Sequence, residues 1–143
     1  MKTEDYLNEP GYTLAFKAIE EPRTEKTKLR ITVHGSMNET DLLLYPHSPV
    51  EAFQIVFPTY AAYSVVADDF TSLNKDEMYE GSAFRIYEKS MYLDFFRNRA
   101  GGKEKVHAPA RKEYTHYSFE CIEHVVDVIS SDSPIVMKID PKK

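Results

Sequence analysis

The chain has 143 residues, 42% hydrophobic and 29% charged, with one cysteine and a net charge of −5. That length suits one domain and buries roughly two thirds of the surface its unfolded form exposes, so the fold needs no metal or disulfide staple. The polar first ten residues hold three acids and leave no room for a secretory apolar segment, no run approaches the ~18 apolar residues of a membrane span, and the lone Cys121 closes no intrachain bridge, so a soluble, cytoplasmic, single-domain protein is expected.

In chain order, Tyr12, Leu14, Phe16 and Ala18 alternate onto one face of a strand over 12–20. Leu29, Ile31 and Val33 point one way over 28–34, with Lys28, Arg30, Thr32 and His34 on the other side, the pattern of a half-solvated strand. Pro22 and the charges after it make these two strands a hairpin with a long loop. Residues 42–45, Leu-Leu-Leu-Tyr, read as a third strand ended by Pro46.

Ser48-Pro49-Val50-Glu51 has the form of a helix start: Ser48 as cap, Pro49 at the first position, Glu51 completing a capping box. The spacing predicts a helix over 49–57 that buries Val50, Phe53 and Phe57 and stops at Pro58. A strand follows over 60–67, then a long acidic loop over 68–82, then a strand over 84–89. Ser90 caps a second helix over 91–100. Its basic residues Arg97 and Arg99 suit the C-terminal dipole, and Gly101-Gly102 stops it. Residues 101–112 read as a second long loop. Tyr117, Phe119 and Cys121 share one face of a strand over 114–121. The stretch 122–129 has helical spacing, but its β-branched run of Ile122, Val125, Val126, Val128 and Ile129 favours a strand. Ile135, Met137 and Ile139 alternate in a last strand.

The expected fold is therefore α+β: a curved, mainly antiparallel sheet of six to eight strands packed against two short helices, 49–57 and 91–100. Its core is expected to include Leu14, Phe16, Leu29, Ile31, Val33, Phe53, Phe57, Val65, Phe84, Ile86, Phe95, Phe119, Val126, Val128, Ile135 and Met137.

Charge is unevenly spread. From Phe84 to Lys112 there are eight bases and three acids, so this segment carries +5 and the remainder −10. Arg97, Arg99, Lys103, Lys105, Arg111 and Lys112 form a basic loop able to follow a phosphate backbone, with His107 and Tyr114 able to stack. The overall acidity weighs against a dedicated nucleic-acid domain. Asp68, Asp69, Asp76, Glu77 and Glu80 form an acidic loop whose spacing does not match a calcium-binding loop.

No motif announces chemistry. Cys121-Ile122-Glu123-His124 has the spacing of half a zinc site, and His34, His47, His107 and His116 supply no second half. Cys121 alternates with Phe119 and Tyr117 and reads as a small core hydrophobe. No Walker, Rossmann or nucleophile-elbow pattern occurs, and neither a cofactor nor a metal is implied.

The function expected from this pattern is non-enzymatic binding of another protein, as an inhibitor or an antitoxin-like or immunity-like neutraliser. The binding surface is acidic and tyrosine-rich, around Asp68, Asp69, Glu77, Tyr79 and Glu80. One alternative is a small-molecule module with a pocket on the concave sheet face. Another is nucleic-acid contact through the basic loop. A third is an enzyme that brings at least two of His107, His116, Glu123, His124 and Asp127 into one cleft.

Overall fold

A computed structural model describes residues 3–70, 75–103 and 113–141. Among these residues the chain is a sheet-rich α+β fold. The strands are β1 (Thr13–Glu20), β2 (Leu29–Ser36), β3 (Glu51–Phe57), β4 (Ala62–Ala67), β5 (Met78–Glu80), β6 (Phe84–Lys89), β7 (Thr115–Ile122), β8 (His124–Ser130) and β9 (Ile135–Ile139). The helices are α1 (Thr3–Tyr6), α2 (Glu39–Leu44) and α3 (Met91–Ala100). The nine strands make one mixed, mostly antiparallel, unclosed sheet in the order β4-β8-β7-β1-β2-β3-β9, with β6 also on β7 and β5 on β6.

Strand β7 is where the sheet forks. Its Phe119, Ser118, Tyr117 and His116 pair antiparallel with β6, while Cys121 and Ile122 pair in parallel with Leu14 and Ala15 of β1. Its other edge is taken by β8 along its length. Strands three places apart in a flat sheet lie about 14 Å apart. Yet the rings of Phe57 on β3 and Tyr117 on β7 are 5.6 Å apart. The sheet therefore curls over its own core. Leu14, Leu29, Ile31, Val33, Phe53, Ile55 and Phe57 come from one side, and Phe84, Tyr117, Phe119, Val126 and Val128 from the other. Phe84 and Phe119 stack nearly parallel at 4.9 Å in the second group.

Several expectations are corrected. Residues 49–57 do not form a helix: Glu51–Phe57 is β3, held between β2 and β9. Phe53, Ile55 and Phe57 alternate into the core there, and pairing on both edges outweighs the local helix-start signal. Residues 42–45 are not a strand: Glu39–Leu44 is helix α2, whose Asn38 cap accepts a hydrogen bond from the Thr40 N–H, and Leu43 and Leu44 are exposed. In β1 the alternation breaks at Lys17, because Phe16 faces Val33 and Ala18 faces Thr32. That bulge turns Ile19, opposite Ile31, toward the core in place of Ala18. Val65, Ile86, Phe95, Ile135 and Met137 are exposed rather than core, and Phe16 is partly buried. The acidic loop carries a 3-10 turn (Asp68–Phe70) and the short strand β5, which takes the strand count past eight.

Other elements form as their sequences suggest. The β1–β2 hairpin is antiparallel. Leu29, Ile31 and Val33 are fully buried. Ser90 caps α3 by accepting the Leu93 N–H, and Gly101 ends that helix in the left-handed region at φ 61°, its N–H donating to the Arg97 carbonyl. The stretch after Cys121 is strand β8.

At the other end of the core, Glu51 collects three donors. Its Oε1 accepts from Tyr6 at 3.1 Å and from Tyr12 at 2.8 Å, and its Oε2 from Lys138 at 2.6 Å. The N-terminal segment and edge strand β9 are thus both tied to β3. A Cβ at Gly35 would run into the Tyr12 ring, so glycine is what lets this tyrosine reach Glu51.

Candidate functional site

The face of β4-β8-β7-β6 turned away from the core mixes polar side chains with apolar ones such as Val66 and Val125. Alternation along β7 sends Tyr117, Phe119 and Cys121 inward and His116, Ser118 and Glu120 outward. Register then sets a row across four strands: Arg85, Ser118, Asp127 and Ser64. A second row brings Tyr87 beside His116. Helix α3 starts directly after β6, and its first turn carries Met91 and Tyr92 to the same place.

All of these outward-facing residues but the fully buried Ser118 are among those that line a cleft of about 640 Å³. Among the described residues its acids are Asp68, Glu77, Glu120 and Asp127, its aromatics Tyr79, Tyr87 and Tyr92, its other polar groups Arg85, His116 and Ser64, and its aliphatic side chains Val66, Met91 and Val125. The rings run as a chain: Tyr79 is 5.1 Å from Tyr87, Tyr87 lies 4.2 Å from His116 and nearly parallel to it, and Tyr92 meets the imidazole edge-on at 5.2 Å. Arg85 sits over the Tyr79 ring at 4.2 Å, donates to Glu120 at 2.8 Å and to the Ser82 carbonyl at 2.9 Å. Burial lifts the Glu120 carboxyl above its ordinary range. Arg85 pulls it down, and the carboxylates of Asp127 and Asp68 push it further up. Burial likewise raises the Tyr87 and Tyr92 hydroxyls.

Under the cleft runs a hydrogen-bond relay. The Leu93 N–H donates to Ser90 Oγ at 2.9 Å, Ser90 Oγ lies 2.6 Å from His116 Nδ1, and His116 Nε2 lies 2.7 Å from Asp127 Oδ1. A neutral imidazole protonated at Nε2 satisfies every link: it donates to Asp127 and accepts from the Ser90 hydroxyl. The trio has the members of a hydrolytic triad but lacks its exposed nucleophile. Ser90 is 4% exposed, its hydroxyl is engaged at both ends by the helix cap and the imidazole, and it does not line the cleft. The relay fastens the start of α3 to β7 and β8 and fixes one oxygen of Asp127.

The sequence-stated surface residues divide. Asp68, Glu77 and Tyr79 line the cleft; Asp69 and Glu80 are exposed outside it. Of the histidines and acids considered for one cleft, His116 and Asp127 meet. Glu123 occupies the β7–β8 turn at φ 68°, and His124 lies against Phe16 at 5.2 Å. His107, Lys105, Arg111 and Lys112 lie outside the described residues. Arg97, Arg99 and Lys103 are exposed at the far end of α3 from Met91 and Tyr92. Ten residues of helix place these two ends roughly 15 Å apart. Ser64, Arg85, Tyr87, Tyr92 and Glu120 were not singled out by sequence reasoning.

Cys121 is 8% exposed, and burial pushes its thiol up to about 12, with Glu120 adding to the rise. A thiolate is the reactive form, so the native chain should react with a disulfide reagent at neutral pH at least ~100-fold more slowly than a free thiol. Full reactivity should return in denaturant. Rapid labelling of the folded chain would contradict the burial. Among the described residues no three His, Cys, Asp or Glu side chains gather to hold a metal ion, and no helix is long and apolar enough to cross a membrane. Comparison with protein-family models, curated proteins and solved structures returns no match.

Proposed function

We propose that this chain is a non-enzymatic binding domain that neutralises or inhibits a basic protein in the cytoplasm, through the acidic, tyrosine-lined cleft beside α3. The observation that carries this reading is the imbalance of the lining. Among the described residues the lining holds four carboxylates and one arginine, and that arginine is already held by Glu120, the Ser82 carbonyl and the Tyr79 ring. Such a cleft attracts positive charge and repels a phosphate backbone. Exposed apolar side chains stand at or near its rim: Tyr79 and Met91 in the lining, and Phe70 two residues after Asp68. Tyrosine and methionine beside fixed charges are the composition of a protein-recognition patch.

The test is capture of partners from native lysate on the immobilised chain, with an Asp68→Lys/Glu77→Lys variant beside it. The expected result is one basic protein at near one-to-one ratio, lost from the variant and weakened at higher salt, whose own activity falls when the chain is added. Absence of any stoichiometric partner at both low and physiological salt would refute the reading. A small-molecule ligand is the second reading, favoured by a cleft volume within the roughly 300–1,000 Å³ of such pockets.

A further inference from the structure

We infer that the outward face of α3 is the contact for a second copy of this chain, two such helices packing antiparallel across a twofold axis. Association of this kind is separate from the protein-binding reading above and does not depend on it. Tyr92, Leu93, Phe96 and Ala100 are the buried or half-buried residues of α3. At spacings of three and four, Met91, Asp94, Phe95 and Asn98 form the opposite face, and all four are exposed. Phe95 is 60% exposed and Met91 57%. Met78, also 57% exposed, is held near the helix start, because the preceding Glu77 accepts the Met91 N–H at 3.0 Å. Two large apolar side chains one turn apart, with a third close by, have the composition of a contact surface.

Charge complementarity commits this face to a second copy. Asp94 and Arg97 lie on the same flank of the apolar stripe, directly before and directly after the Phe95–Phe96 pair. Neither side chain makes an ion pair or a side-chain hydrogen bond among the described residues. When two copies of α3 run antiparallel about an axis at the middle of that pair, equivalent flanks meet, and Asp94 of each copy falls opposite Arg97 of the other. The two Phe95 rings then meet across the axis, and Met91 extends the apolar contact at each end. Antiparallel packing also sets the positive end of each helix dipole beside the negative end of the other. The net charge of −5 on each copy opposes association, but at physiological ionic strength it is screened beyond about 8 Å, so the contacts at the axis decide. Ten residues of helix span about 15 Å, which makes a small interface and a weak dimer.

The experiment is analytical ultracentrifugation of the full-length chain. At physiological salt it should pass from monomer toward dimer between about 5 and 500 µM. Phe95→Ser, which removes only an exposed side chain, should weaken the dimer about tenfold or more. Asp94→Arg and Arg97→Asp, each with a native circular dichroism spectrum, should each weaken self-association about fivefold, because each sets like charges opposite one another. Mixed in equal amounts, these two variants should associate about as strongly as the wild type, since in the mixed pair both contacts regain opposite charges. Arg99→Asp makes the same charge change on the other flank and should not rescue Asp94→Arg in such a mixture. A chain that stays monomeric throughout the range overturns the inference and leaves the Phe95 face to a foreign protein. Self-association undiminished by Phe95→Ser, or a mixture no stronger than its parts, overturns it as well. The cleft variant Asp68→Lys/Glu77→Lys leaves Asp94, Phe95 and Arg97 in place, so loss of a lysate partner and loss of the dimer are read separately.

Discussion

Replacing His116 with alanine should lower the unfolding free energy by about 3 kcal/mol. The imidazole is 3% exposed and sits between Tyr87 and Tyr92 while bridging Ser90 and Asp127. Its loss leaves a void between two rings, an Asp127 carboxylate without its donor, and a Ser90 hydroxyl that keeps only the helix cap. Ser90→Ala alone should cost less, about 1 kcal/mol, the usual value of a lost cap. Because the two side chains share one relay, the double variant should show a coupling of at least about 0.5 kcal/mol. Denaturant unfolding of the four proteins measures it. Strict additivity would mean that the relay does not act as a unit.

Glu51→Gln should cost about 1.5 kcal/mol, at the low end for charge-assisted hydrogen bonds because the group is partly open to water. The expected signature is in acid. Burial by itself would raise the Glu51 carboxyl, but the Lys138 ammonium and the Tyr12 and Tyr6 hydroxyls outweigh it, so the net shift is downward from the ordinary 4.5. A depressed carboxyl in the folded state means that near and below pH 4.5 the unfolded chain binds more protons than the folded one. The stabilisation from Glu51 is therefore complete above pH 4.5 and drains away as pH falls through the lower folded value. The wild type should lose stability along this acid limb, and Glu51→Gln should flatten it. Parallel acid limbs for the two proteins would assign the effect elsewhere.

Glu51 also shows what was legible in the sequence and what was not. The segment Ser48-Pro49-Val50-Glu51 carries good helix-start chemistry, yet the same carboxylate serves tyrosines 39 and 45 residues away. Local capping is worth about 1 kcal/mol, and it lost to a strand paired on both edges with Phe53, Ile55 and Phe57 fully buried. Strands with clean alternation, such as β2 and β7, were readable because one buried face imposes period two. Residues 42–44 were not, since three consecutive leucines carry no period, and the Asn38 cap was the usable signal. The cleft was half legible. Reading 115–130 as a hairpin that turns at Ile122-Glu123 puts His116 opposite Ile129 and Ser118 opposite Asp127, which makes His116 and Asp127 diagonal neighbours. Tyr87, Arg85 and Tyr92 could not be added, because β6 and α3 are separated from β7 by a stretch with no periodic pattern.

The fork at β7 has a consequence for how the chain acquires its shape. Residues 13–57 can form the β1–β2–β3 meander as soon as they leave the ribosome. The strand that links it to β6, β8 and β4 lies almost a hundred residues downstream of β1. Until translation has passed Ile122, Phe57 has no aromatic partner from β7 and the inner face of the early meander stands open. Closure of so distant a pair carries a large loop entropy and slows folding. Nascent chains stalled before that point would be the species that chaperones meet.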